Sequence, residues 1–135
     1  MASFNKFNTL VADLANGVHN LATNQLTVAL TNTAPTASNS ILTDITQISY
    51  TNLSSRNITT TSSTQSGGLY SLVLADLTLT ATGAVGPFQY VVIYNETSAS
   101  DSLICWYDRG SAVTLQSGDS ITIDFTDTQK LFELT

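Results

Sequence analysis

Residues 88–110 read FQYVVIYNETSASDSLICWYDRG. Two apolar, aromatic-rich runs flank a loop of small polar residues. The stretch holds Trp106 and Cys105, each the sole residue of its type, and one of the four basic residues, Arg109. In FQYVVIYN, strand alternation puts Phe88, Tyr90, Val92 and Tyr94 on one face and Val91 and Ile93 on the other. In LICWYDR, Leu103, Cys105 and Tyr107 oppose Ile104 and Trp106. An antiparallel strand with one wet side shows one apolar and one polar face. Strands apolar on both faces are therefore central or covered twice. An amphipathic segment can cover one patch and a partner subunit another, because aromatic side chains with polar tips suit interfaces. The loop NETSASDS has the composition of a binding-loop tip.

Outward from this hairpin the period of two continues. QLTVALT places Leu26, Val28 and Leu30 on one face and Thr27 and Thr31 on the other. In DLTLTAT, Leu77, Leu79 and Ala81 point inward and the threonines outward. NITTTSSTQS (57–66) reads as a polar strand, suited to an edge, and Gly67-Gly68 as a two-residue hairpin turn into LYSLVLA. GAVGP reads as a turn, AVTL as a separate strand, and Gly118-Asp119 as a turn before DSITIDFT, where Ile121, Ile123 and Phe125 face the core. KLFEL closes the set, and ILTDITQISY fits either a helical turn or extended chain. About 9–10 short strands with turn signals every 8–12 residues predict an all-β fold, a single jelly-roll-like β-sandwich over about 25–135. The start differs. Phe4, Phe7, Leu10, Val11, Leu14 and Val18 recur at spacings of three and four, which predicts one amphipathic helix over about 4–16, capped by Ser3 and ended by Gly17. Such a helix needs a surface to pack on. The whole chain, 1–135, is one domain.

Composition supports the β assignment. Charged residues make up 10% of the chain where about 25% is usual. The polar surface falls instead to 22 Thr and 16 Ser, and Thr favours a pleated, half-buried position. The net charge of −6, with Lys6, Arg56, Arg109 and Lys130 scattered, argues against nucleic acid and against anionic membranes. MASFNKFNTLVADLANG lacks the uninterrupted apolar core of a signal peptide, and no apolar run approaches a membrane span. One cysteine cannot build a disulfide framework, and Cys105 inside LICWY reads as a small core hydrophobe. The three sequons at Asn52, Asn57 and Asn95 read as chance in a Ser/Thr-rich chain.

Catalytic chemistry finds little to work with. His19, the sole histidine, sits at the end of the expected helix, where a charged imidazole would favour the dipole. A zinc site needs three or four ligands, more than one His and one distant Cys supply. The carboxylates fall in turns or on outward strand positions. Asp119, Asp124 and Asp127 lack the dense spacing of a calcium loop. No glycine-rich phosphate-binding motif is present. The expectation is a protein without catalytic residues, metal or cofactor.

Particular phrases carry a resemblance. MASFNKFNTLVADLANGVHNL followed by LTVALTNTAP, then GPFQYVVIYN and LICWYDRGSAVTLQSGDSITIDF, resemble small structural proteins of tailed bacteriophages, in particular capsid decoration or cement proteins. The segments span well over half the chain; 40–75 is less distinctive. The resemblance implies a β-sandwich that binds the major capsid protein on the outer surface of the assembled head as a homo-oligomer, a trimer foremost. Synthesis would be in the host bacterial cytoplasm and the final location the virion. A tail, neck or fibre component is an alternative. So is a carbohydrate-binding module for host attachment, with Trp106, Tyr94 and Tyr107 stacking on sugar rings and Asp101 and Asp108 taking hydroxyl hydrogen bonds. Expected contact residues are Phe4, Lys6 and Phe7 of the N-terminal segment, the loop Asn95 to Asp101 with Glu96, and Arg109. Phe4 and Phe7 fit equally well as lids on the sandwich.

Overall fold

A computed structural model describes residues 3–125 and 132–134. The protein is all-β with one helix. Among the described residues ten strands and one α-helix run in the order β1 (Ser3–Lys6), α1 (Thr9–Ala15), β2 (Leu26–Thr31), β3 (Asn57–Ile58), β4 (Thr60–Ser66), β5 (Leu69–Leu74), β6 (Leu77–Thr80), β7 (Val85–Asn95), β8 (Ser102–Leu115), β9 (Ser120–Ile123) and β10 (Phe132–Leu134). One layer is a five-stranded sheet, β1-β8-β7-β2-β3. The other side is split between β10-β5-β4 and the ribbon β6-β9. Among the described residues every strand pairing is antiparallel.

Two cores result, one on each face of the five-stranded sheet. The larger joins Leu26, Val28, Leu30, Val91, Ile93, Ile104 and Cys105 of that sheet to Leu72, Leu74 and Leu79 of the smaller sheets. The second holds Ala29, Val92, Tyr94 and Leu103 with Phe7 and Ile45, and Leu42 and Trp106 pack against it. The doubly apolar hairpin is thus explained without a subunit: the chain's own 41–45 segment, which contains a 3₁₀ turn at Leu42–Asp44, covers the second face together with Phe7. For the same reason Thr27 and Thr31, expected outward, are buried, and all six residues of β2 are inside.

Two irregularities in the hairpin correct the face assignments. Ile93 pairs with Cys105 but Tyr94 with Leu103, so Ile104 is the extra residue of a bulge. The bulge sends Leu103 and Trp106 to one core and Ile104 and Cys105 to the other. Phe88 pairs with Val113 while Tyr90 pairs with Asp108, and the shift turns Phe88 into the same core as Val91 and Ile93. The surplus residues, Arg109 to Ala112, form an exposed excursion through Gly110 at φ +89°. AVTL is therefore the end of β8 rather than a separate strand, and much of GAVGP belongs to β7.

The N-terminus also departs from expectation. Residues 3–6 are a strand, not the first turn of the helix, with Phe4 opposite Tyr107 and Lys6 opposite Cys105. The open edge of the long strand β8 offers backbone partners that a lone helical turn lacks, so tertiary pairing overrides the local three–four spacing. The helix begins only at Thr9, and Ser3 does not cap it. Its end is as expected: Gly17 takes φ +79° and the Val18 N–H donates to the Asp13 carbonyl at 2.8 Å, a glycine C-cap. Leu10 and Leu14 face the larger core. Gly67 and Gly68, at φ +58° and +84°, form the β4–β5 turn as expected.

Candidate functional site

The N-terminal segment sorts its apolar side chains into two sets. Phe7 and Leu10 are buried. Phe4, Val11 and Val18 are exposed by 41%, 55% and 37%, and they are the exposed large hydrophobics among the described residues. Strand alternation makes the first division, since Phe4 and Phe7 leave β1 on opposite sides. The Phe7 ring lies 4.6 Å from that of Trp106, whereas Phe4 rests its edge on Tyr107 at 5.8 Å. Helical periodicity makes the second: Leu10 and Leu14 turn inward, so Val11, Ala12 and Ala15 turn outward.

The expected contact residues do not form one patch. Lys6 is exposed beside Phe4. Phe7, fully buried, is a core residue and not a partner contact. Asn95 is fully buried as well. Its Oδ1 accepts hydrogen bonds from the Thr97 and Ser98 N–H groups at 3.0 and 3.3 Å, and its Nδ2 donates to Asn24 Oδ1 at 2.8 Å. Sequence reasoning missed this structural role. An Asn at the head of a polar loop with Thr two residues on is the signature of an Asx turn, and that signal was present. Glu96 is exposed, with its N–H donating to the Gln25 carbonyl. Asp101, at φ +50°, is half-buried and its carbonyl accepts from the Leu42 N–H. Arg109 is exposed on the excursion and donates locally to the Ser111 carbonyl at 2.8 Å. Arg109 lies seven residues along β8 from Ser102, about 23 Å at strand rise, so the loop tip and Arg109 are opposite ends of one hairpin.

The aromatic set proposed for sugar stacking is not assembled. Tyr94 is 3% exposed, and it and Trp106 face the second core while Tyr107 packs against the first. Burial raises the Tyr107 phenol well above its ordinary pKa, and neighbouring Cys105 adds to it.

Several carboxylates are employed in holding backbone. Asp44 accepts from the Ser40 and Ile41 N–H groups, which hold its carboxyl below the ordinary range. Asp108 accepts from Gln89 Nε2 and the Gly110 N–H, with the same effect. Asp76 takes the Phe125 N–H and Asp119 the Gln116 N–H. Asp127 lies outside the described residues, and among those described no three His, Cys, Asp or Glu side chains come together as a metal site. Arg56 lies 3.7 Å over the Tyr50 ring and donates to the Val28 carbonyl, tying β2 to the segment that follows. A shallow groove of about 560 Å³ runs between the end of α1 and the β4–β5 hairpin, lined by Leu14, Leu21, Ser63 and Tyr70 among others.

Fold and side chains together define an all-β protein whose exposed large hydrophobics, among the described residues, lie in its N-terminal segment. Comparisons with protein-family models, with curated proteins and with solved structures find no match to the chain.

Proposed function

We propose that this chain is a non-enzymatic structural protein of a tailed-phage virion, a capsid decoration protein that binds the major capsid protein on the outside of the assembled head. The observation that carries the reading is the division of the N-terminal segment. Phe4, Val11 and Val18 stay exposed while their neighbours Phe7 and Leu10 fill the cores. Exposed apolar side chains gathered in one segment suit a protein that works by contact. The phage and capsid assignment rests on the resemblance of the segments quoted above.

Decoration needs shape and copy number rather than tuned acids and bases. Each bound copy adds free energy to the assembled lattice alone and so shifts the equilibrium toward the intact shell. A homo-oligomer engages several capsid subunits at once, and avidity multiplies weak contacts. Lys6 beside Phe4 is the cation placed to meet a partner carboxylate.

Quantitative mass spectrometry of purified virions tests the reading. Copies in simple ratio to the major capsid protein support decoration. A handful per particle moves the protein to the tail or neck, and its absence from virions removes the proposal. Phe4→Ala with Val11→Ser should abolish binding to purified capsids while leaving the melting temperature nearly unchanged, because neither side chain is in a core.

A further inference from the structure

We infer that β4 is a self-pairing edge, through which two copies of this chain join the β10-β5-β4 sheets across a two-fold axis. Strand edges present unpaired N–H and C=O groups, and proteins protect them by shortness, charge or proline. The other sheet edges follow that rule. β3 has two residues, β6 and β9 four each, β10 three, and β1 four including Lys6. β4 has seven residues, TTSSTQS, with no charge and no proline, and its bulge lies at the start, between Thr60 and Ser62. Thr61, Thr64, Gln65 and Ser66 are exposed.

The hairpin fixes which groups are free. Ser66 and Leu69 flank the two-residue Gly67-Gly68 turn and form its closing hydrogen-bonded pair. Alternation then directs the Thr64 backbone toward β5 and the backbone N–H and C=O of Ser63 and Gln65 outward. A second β4 laid antiparallel satisfies all of them at once, with Ser63 against Gln65 of the other copy and Thr64 facing its own counterpart.

Electrostatics selects the occupant. Each copy carries a net charge of −6, so two copies repel over most approaches. Yet the run 57–75, from β3 through the end of β5, contains no Asp, Glu, Lys or Arg. Two such hairpins meet without like charges opposed. This inference does not depend on the virion reading, and it specifies a two-fold contact, distinct from the three-fold one that the phage resemblance implies.

Light scattering coupled to size exclusion tests it together with crosslinking. The native chain should run at twice its monomer mass, and Thr64→Lys should halve that mass with an unchanged circular dichroism spectrum. Thr64→Cys should form a disulfide-linked dimer on mild oxidation, while Thr78→Cys on β6 should not. The cysteine pair is read on folded protein and keeps the inference testable even if the lysine variant unfolds. A monomeric native chain, a trimer that survives Thr64→Lys, or no crosslinking at position 64 overturns it.

Discussion

His19 Nδ1 lies 3.0 Å from Asn95 Nδ2, in the buried junction between the end of the helical segment and the β7–β8 loop. The Asn95 amide is oriented by its other bonds. Oδ1 is held by the Thr97 and Ser98 N–H groups, so Nδ2 must be the donor toward His19. Nδ1 therefore accepts and the ring is neutral with its proton on Nε2, a buried nitrogen that lies 3.8 Å from Asp13 Oδ2, beyond hydrogen-bond distance. The favourable helix-end charge that a protonated imidazole would supply is therefore not used in this structure. Burial pushes the His19 pKa below its ordinary value, and the Asp13 carboxylate only partly offsets it.

A pH dependence follows from the sign of that shift. The unfolded chain binds a proton at His19 near pH 6.5, while the folded chain resists it until lower pH. The stabilisation is fully present above about pH 6.5 and is lost as pH falls from there through the folded pKa, at up to about 1.4 kcal/mol per pH unit. Urea unfolding at pH 7.5 and 5.5 should show a larger loss for the native chain than for His19→Phe. Equal losses would refute the neutral, buried assignment.

Phe7 should behave as core. Truncation to Ala empties a fully buried site against Trp106, at a cost of about 3–5 kcal/mol. Trp106 emission should shift to the red in the folded variant. A cost below about 1 kcal/mol would mean that the second core collapses around the gap.

Arg56 should matter for stability despite its charge. It stacks on Tyr50 and donates to the Val28 carbonyl, so Arg56→Ala should cost about 1–3 kcal/mol. Arg56→Lys should recover little, because a point charge reproduces neither the planar stack nor the fork. Chemical denaturation of the three proteins checks both statements.

Cys105 should be chemically silent. Its thiol is fully buried and its pKa is pushed far up by burial. A thiol reagent should modify it only as fast as the chain opens, with a rate that rises in step with urea-induced unfolding. Rapid labelling of the native protein would refute this.

Local chemistry was enough for much of the fold. Alternation in LTLT and in Ile121, Ile123 and Phe125, the Gly67-Gly68 and Gly118-Asp119 turns, and Gly17 as helix end each depend on a few neighbouring residues, and the structure shows each of them. Three matters needed the folded chain. Residues 3–6 became a strand because the open edge of β8 supplied partners that no sequence window contains. The bulge at Ile104 reversed the faces of Leu103 and Ile104, because a strand's alternation holds only while its partner keeps step. The 41–45 segment closed the second face of the sheet, making Thr27 and Thr31 interior, and the chain around His19 and Asn24 enclosed Asn95. Periodicity tells which residues share a side; only long-range packing tells what lies against that side.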